Sequence, residues 1–307
     1  MIDLMRQQVL DLLRRHRVFP KKSLGQNFLV SDHAVERLFA EAALSAKDQV
    51  IEIGAGLGQI TRLIAEKVRW VIALEFDPQL MAVLKEELAP FGNITLIQAD
   101  AARCSYREVL EHFPDREIPG HFPGQKGQKE EGKVKVIGNL PYYVAVPILV
   151  RLEEIKDRIS LIIATLQKEL ADRMLAHPAQ KAYGELSVRI RYLYDATEVE
   201  SLPAGAFYPR PKVTSKIISL HPLQSPRVSV QDEDLFFRLV RAAFSQRRKT
   251  LLNALKAHPE LGVPREAWPD LLKESHLSPQ GRGETLCLEE FAGLSDFVFR
   301  YLASRTS

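Results

Sequence analysis

Residues 50–61 read VIEIGAGLGQIT, a short β-branched run that turns into Gly54, Gly56 and Gly58. Glycine at these places admits positive φ and lets the backbone approach a ligand closely. An apolar helical pattern follows through Ile60, Leu63, Ile64 and Val68, so the stretch reads as strand, tight turn, helix. A helix starting there aims its first N–H groups at whatever lies over the turn. A second apolar run, Trp70 to Leu74, ends in Glu75, about 20 residues past the turn, where an acid suits the two hydroxyls of a ribose. A dinucleotide-binding turn wants G-x-G-x-x-G. Here the third glycine of that fingerprint is replaced by Gln59, so no pyrophosphate site is expected.

The pattern E-x-G-x-G-x-G resembles the first motif of Rossmann-like methyltransferases that use S-adenosylmethionine. A second informative stretch, GNLPYY, spans residues 138–143 after an alternating strand pattern. The exocyclic amine of adenine is a poor nucleophile, because its lone pair is delocalised into the ring. Its methylation requires acceptors that hold the amine so that the nitrogen points at the sulfonium methyl. The Asn139 side-chain oxygen and the Leu140 carbonyl can serve. Pro141 stiffens the turn, and Tyr142 offers a ring for base stacking.

The elements around these residues are those of an α/β sheet. Strand patterns at 95–98, 133–137, 161–166 and 213–220 alternate with helical ones, which argues for one open, mostly parallel sheet. Residues 184–194 read as a further alternating strand with Arg189 and Arg191 on one face. Asp100 closes the 95–98 strand. Two readings of it are open, an acceptor for an adenine amino group or an N-cap of the following helical stretch. Gln26 and Asn27 sit in PKKSLGQNFLV, residues 20–30, which reads as a loop over a cofactor leading to a helix capped at Ser31. FYPRPK at 207–212 is a proline-stiffened loop carrying Phe207, Tyr208, Arg210 and Lys212. Residues 113–133 are rich in Pro, Gly, Gln, Lys and Glu and read as a solvated loop without chemistry.

From about residue 224 the pattern turns helical. Residues 235–258 place apolar side chains at helical spacing, with Arg238, Arg241, Arg248 and Lys249 on the other side and no acid until the stretch ends, which favours contact with a phosphate backbone. The N-terminal residues 2–17 form a basic amphipathic helix, either solvated and docked or in contact with RNA. The 307 residues allow about two domains, and 46% hydrophobic content supports a substantial core. The net charge of +3 is small, so local clustering of cations matters more than the total. Cys104 and Cys287 form no C-x-x-C pair, which fits a reducing compartment and gives neither a disulfide framework nor a metal signature. No run approaches membrane-spanning length, and no secretory or transit segment is expected at the N-terminus.

Together these residues closely resemble the ribosomal RNA adenine dimethyltransferases, of the bacterial small-subunit methyltransferase A type. The matching pieces are LGQNFL (24–29), VIEIGAGLGQIT (50–61), ALEFD (73–77), QADA (98–101) and GNLPYY (138–143). They continue in order through LQKELADRM (166–174), KAYGELSV (181–188), FYPRPKVTSKI (207–217), AFSQRRKTLLNAL (243–255) and RGETL (282–286). The resemblance implies a Rossmann-like, seven-stranded class I methyltransferase sheet over residues 1–223, with a basic N-terminal helix in 1–20 and a flexible insert at 113–133. A small all-helical RNA-binding domain is implied for 224–307. The implied reaction is dimethylation of N6 on two adjacent adenosines in the 3′-terminal hairpin loop of 16S rRNA, with S-adenosylmethionine converted to S-adenosylhomocysteine. The implied partner is small-subunit rRNA within a partly assembled 30S particle, met by a cytoplasmic monomer. Cofactor contacts are implied at Gln26, Asn27, Leu29, Gly54, Gly56, Glu75, Asp100 and Asn139. The chemistry falls to Asn139, Leu140, Pro141 and Tyr142, with Phe207 as a candidate second face for the base. Arg241, Arg247, Arg248, Lys249 and Lys212 are the implied RNA contacts, and no metal is expected.

The sequence departs from the family at Ala145, where many members carry threonine or serine, at Arg210, where many carry proline, and in a longer 113–133 segment. Three other readings compete. A large-subunit rRNA methyltransferase of the antibiotic-resistance type usually ends its catalytic turn in phenylalanine, and SQRRKT speaks against it. A non-catalytic nucleic-acid-binding relative is opposed by Asn139, Tyr142 and Glu75. A nicotinamide oxidoreductase lacks its third glycine.

Overall fold

The computed structural model describes residues 4–114, 132–141, 144–246 and 248–305. Tyr142, Arg247 and nearly all of the 113–133 segment lie outside the described residues. The chain forms two compact units, Met1–Ala171 with Thr197–Pro222, and Asp172–Ala196 with Leu223–Ser307. The passage from one unit to the other at 222/223 falls beside the cut expected at 223. Residues 172–196, expected in the first domain, belong to the second unit instead.

In the first unit, helix α1 (Leu4–Arg15) buries Met5, Val9 and Leu13. Its first turn is held by Asp32, which accepts from the Leu4 and Met5 N–H groups at 2.9 and 3.1 Å. At the other end His16 lies 2.7 Å from Glu87, and Arg15 lies 3.1 Å from the same acid. A two-residue strand β1 (Phe28–Leu29) leads to α2 (Asp32–Ala42), whose N-cap Ser31 accepts from the Ala34 N–H. Strand β2 (Gln49–Ile53), helix α3 (Gln59–Ala65), strand β3 (Trp70–Glu75), helix α4 (Pro78–Glu87) and strand β4 (Ile94–Gln98) then alternate. Helix α5 (Tyr106–Glu111), strand β5 (Val134–Asn139), helix α6 (Ala145–Leu152), strand β6 (Ile159–Gln167) and helix α7 (Lys168–Leu175) continue the pattern.

The chain returns through helix α8 (Glu185–Leu193), strand β7 (Tyr194–Leu202), the two-residue β8 (Phe207–Tyr208) and strand β9 (Ser215–Pro222). The strands form a seven-stranded sheet in the order β4-β3-β2-β5-β6-β9-β7. β4, β3, β2, β5 and β6 are parallel, and β9 runs antiparallel to β6. Parallel strands are covered on both faces, which explains why β2 and β3 read as near-continuous apolar runs. The strand order reverses between β2 and β5. In open α/β sheets the crevice at the carboxyl ends of such strands is where ligands bind.

Residues 184–194 are not a strand. They form α8, in which Leu186, Ser187, Ile190 and Leu193 are buried at helical spacing, while the strand begins at Tyr194. The alternation of VRIRY fits either period over so short a stretch, and the Gly184 N–H bonded to Ser187 Oγ at 3.0 Å fixes the helical start. The expected single helix over 235–258 is also divided. It forms α9 (Glu233–Phe244) and α10 (Leu251–Lys256), because Thr250 caps a new helix by accepting from the Asn253 N–H. Helices α11 (Trp268–Glu274) and α12 (Leu288–Ala303) complete the second unit, so residues 224–305 are helical apart from turns among those described. Its core includes Trp268 and a group of rings in which Tyr192 stacks on Phe236 at 5.0 Å.

Phe207 packs in the core of the first unit. β8 pairs antiparallel with β1, setting Leu29 opposite Phe207 and Phe28 opposite Tyr208. Successive side chains of a strand face opposite ways, and Phe207 faces inward, 1% exposed, among Leu29, Leu202, Ala206 and Ile217. Phe207→Ala is therefore expected to cost about 3–5 kcal/mol, the range for emptying a buried aromatic site. Denaturant unfolding measures it. A loss below about 0.5 kcal/mol, the surface range, would return Phe207 to an exposed role.

Glu52, on the interior strand β2, is buried at 3% exposure. Among the described residues its Oε2 has no hydrogen-bond partner. Burial pushes its carboxyl up to about 8, with the neighbouring Thr61 hydroxyl pulling it down and the Glu75 charge adding to the rise. A proton is thus retained in the fold that the unfolded chain sheds from an ordinary value of 4.5. The associated stability is present in full below that value and is lost as pH rises through about 8. Glu52→Gln, neutral at every pH, should melt higher than the parent at neutral pH. The difference in Tm should widen from pH 5 to 8 and then level, and a pH-independent difference would show that Glu52 ionises normally.

Candidate cofactor and catalytic site

A cavity of about 540 Å³ opens in the first unit at the carboxyl ends of β2, β3 and β5. Its floor is the turn after β2. Gly54 and Gly56 have φ of +78° and +62°, values L side chains rarely adopt. A Cβ at Gly56 would also stand 3.3 Å from the Phe28 ring. The Gly54 and Ala55 N–H groups bond the Leu74 carbonyl at 2.9 and 3.1 Å, fastening the turn to β3.

Glu75 forms one wall. Its Oε2 accepts from the Gly56 N–H at 2.9 Å, and its Oε1 accepts from the Phe76 and Asp77 N–H groups at 2.8 and 2.9 Å. Burial raises its carboxyl above the ordinary range, and these three backbone donors pull it back only in part. Phe76, the next residue, is 54% exposed and lines the same cavity. Sequence reasoning passed it over, although an aromatic directly after the acid of ALEFD is the signal for it. Asp100 lines the wall beyond β4. It is not a helix N-cap, since α5 is capped by Ser105. Asp100 instead caps a turn, with Oδ1 accepting from the Ala102 N–H at 3.0 Å, and Arg103 lies 3.5 Å from Oδ2.

The roof is the loop 21–27. Gln26 lines the cavity, yet its amide is engaged within the protein. Nε2 donates to Asp77 Oδ2 at 2.8 Å, and Oε1 accepts from the Lys21 N–H at 2.7 Å. Asn27 lines the cavity with its side chain turned back onto the Gly25 carbonyl. Leu29 stands off the wall, its side chain 4% exposed in the core.

The opposite wall is the turn after β5. Gly138 packs tightly between β2 and its own turn, because a Cβ there would stand 3.2 Å from the Ile53 carbonyl oxygen and would displace Leu140 Cδ2, 2.6 Å away. Asn139 Nδ2 donates to the Asn27 carbonyl at 2.8 Å, so among the described residues Oδ1 is left as an acceptor on the cavity wall. The Leu140 N–H bonds the Thr165 carbonyl at 3.2 Å, and Leu140 and Pro141 line the cavity. Gln26, Asn27, Gly54, Gly56, Glu75, Asp100, Asn139, Leu140 and Pro141 are thus gathered in one place. Leu29 and Phe207 are not.

The volume lies in the range that takes a nucleoside-sized ligand. A glycine floor, an acid after β3 and a second acid after β4 form a donor and acceptor set suited to an adenosyl group. In the second unit Arg248 and Lys249 are exposed in the turn between α9 and α10. Arg241 is 65% exposed and lies 3.4 Å from Glu185. Lys212, in the first unit, is exposed.

Residues 19–267 match the family model described as ribosomal RNA adenine dimethylase. Over 294 residues the chain is 37% identical to the ribosomal RNA small subunit methyltransferase A of Lachnoclostridium phytofermentans, covering 95% of this chain and 96% of that protein. It is 40% identical to the protein of the same description from Pelotomaculum thermopropionicum, covering 94% of each. In fold it is similar to a dimethyladenosine transferase from Plasmodium falciparum, with a TM-score of 0.68, 22% identity and coverage of 86% of this chain and 94% of that one. The 23S rRNA methyltransferase ErmE is similar at a TM-score of 0.61 and 22% identity, over 89% of this chain and 100% of that one. With sequence matches of this extent and a site built on the motifs that carry them, the chain belongs to the ribosomal RNA adenine dimethylase family.

Proposed function

We propose that this chain uses S-adenosylmethionine to dimethylate N6 of two adjacent adenosines in the 3′-terminal hairpin loop of 16S rRNA. The observation that carries the reading is the fixed orientation of Asn139, whose amide nitrogen is tied to the Asn27 carbonyl so that its oxygen is left to accept. The cofactor, when bound, supplies an electrophilic methyl on a sulfonium. Glu75 would take a ribose hydroxyl on the Oε2 lone pair that its three backbone donors leave open, with Gly54 and Gly56 allowing close approach. Phe76 would offer an apolar face to the purine, and Asp100 would accept from the adenine amine of the cofactor.

Asn139 Oδ1 and the Leu140 carbonyl would hold the target amine with its nitrogen lone pair directed along the line of transfer. Their partial negative charge would also stabilise the cationic nitrogen that forms. Its proton is acidic enough to leave to water, so no strong general base is needed. Tyr142 would stack on the flipped base, and Pro141 would stiffen the turn that carries it. The substrate would be met within a partly assembled 30S particle by a monomer in the cytoplasm. Arg248, Lys249 and Lys212 are the cations best placed to meet phosphates. Arg241 would first have to leave Glu185, and Arg247 lies outside the described residues.

Asn139→Ala should lower the single-turnover rate on unmodified small subunits by about 100-fold or more, the scale for one preorganised polar group. Folding and subunit binding should be retained, and near-normal turnover would sink the mechanism. Replacing Arg248 and Lys249 together by Ala should weaken subunit binding and flatten its salt dependence by about one unit of slope per lost phosphate contact. Cofactor affinity should not change. An unaltered slope would mean that these two cations are only solvated.

A further inference from the structure

The loop over the cavity is fastened at both ends, and Asp77 makes one of the two fastenings. Its carboxylate is 2% exposed. Oδ1 accepts from Lys21 Nζ at 2.8 Å and from the Gln79 N–H at 3.0 Å, and Oδ2 accepts from Gln26 Nε2 at 2.8 Å. The Lys21 N–H in turn donates to Gln26 Oε1, so the two ends of the loop segment 21–26 are clipped to each other as well as to Asp77. The Asp77 N–H donates to Glu75 Oε1. At the far end the Asn27 carbonyl accepts from Asn139 Nδ2. β3 and β5 flank β2 on either side, so the loop is a strap tied from the end of β3 to the end of β5, over the glycine turn.

N-capping of α4 requires only the bond to the Gln79 N–H. The bonds to Lys21 and Gln26 act on the cavity roof instead. A loop left loose would have to be ordered whenever a ligand bound beneath it, and that ordering opposes binding. A loop already tied avoids the cost. Lys21, 41% exposed on its side chain, can let go into water, so the tie can open for ligand exchange.

We propose that Asp77 is a positioning residue of the cofactor site, holding the 21–27 strap closed over S-adenosylmethionine through Lys21 and Gln26. The proposal rests on the reading that this cavity takes S-adenosylmethionine. Asp77 does not line the cavity. It acts through the strap above the cofactor and through Glu75 beside it.

The test compares the full-length parent with Asp77→Ser, Lys21→Met and the double variant. Serine keeps a capping oxygen for α4 but has neither the charge nor the reach to hold Lys21. Titration calorimetry with S-adenosylmethionine should show Kd raised by about tenfold in each single variant, the scale of one charge-assisted hydrogen bond. The double variant should be little worse than either, because both changes open the same tie. In turnover the change should fall on KM for the cofactor, with kcat at saturation within about threefold, as expected when pre-organisation rather than chemistry is lost. A purely structural cap predicts a lower Tm with cofactor affinity and KM unmoved. That result, or unchanged Kd in a folded Lys21→Met, overturns the proposal. Should Asp77→Ser fail to fold, Lys21→Met reads the same tie from its solvent side. A parent that binds S-adenosylmethionine but does not methylate small-subunit rRNA would overturn the proposed function and leave the strap standing.

Discussion

A carboxyl group taken out of water must be given hydrogen-bond donors or a proton, and the site of this protein is built around that requirement. Glu52 and Glu75 lie at comparable depth on neighbouring strands, and each answers it differently. Glu75 gathers three backbone N–H groups, one from the glycine turn and two from the chain entering α4. Those bonds fix two turns relative to each other, and the cavity floor follows from where they stand. Among the described residues Glu52 lacks a partner on Oε2, and burial keeps it protonated well above the ordinary range. It therefore adds little negative charge beside Glu75 at neutral pH. Ionised acids at both places would repel each other across the β2–β3 pair.

The same economy of donors sets the roof. Asparagine and glutamine in LGQNFL invite direct cofactor contact, since amides are versatile ligands. In the structure the Gln26 and Asn27 side chains are both turned onto protein partners. What the loop presents to the cavity is shape and backbone, with Asn27 holding the Asn139 amide through its carbonyl. An exposed amide would be free to rotate, exchanging its oxygen and nitrogen. Asn139 is prevented from doing so by a donor bond that only its nitrogen can make.

Much of this was legible in the sequence, because it is local. The β2 turn, the acid after β3 and the GNLP turn each depend on residues a few positions apart, and their types suffice to place them. Asp77 was written in the same stretch, but its partners Lys21 and Gln26 are about fifty positions away, so its role required the fold. The burial of Phe207 was hidden for a related reason. A two-residue strand has no periodicity of its own, and the side that Phe207 faces is set by pairing with Phe28 and Leu29. The helix α8 was misread because VRIRY alternates over five residues, too short to separate a period of two from one of 3.6. The break before α10 was within reach, since a threonine three residues before Asn253 is a capping signal, though uniform cationic charge on both sides concealed it. The excursion of 172–196 into the second unit leaves no mark in composition, because both units bury the same kinds of residue.

Dimethylation places a demand on the proposed acceptors that a single transfer would not. An adenine amine has two N–H groups, one for Asn139 Oδ1 and one for the Leu140 carbonyl. After the first methyl is added only one remains, so one acceptor loses its partner when the second transfer is set up. A buried acceptor left unpaired costs about 1–3 kcal/mol, enough to slow the second step or release the half-finished base. Asn139 itself is only half-buried, and the cavity it lines is open, so water can replace the lost N–H. Leu140 is 3% exposed, and its peptide is pinned by the Thr165 carbonyl. The asymmetry favours a fixed order of use. On the proposed mechanism the remaining N–H would stay with the carbonyl of the more buried Leu140, while the half-buried Asn139 oxygen would give up its bond as the methyl takes that side. A site with two equally buried acceptors would hold the unmethylated amine more tightly but would slow the second transfer.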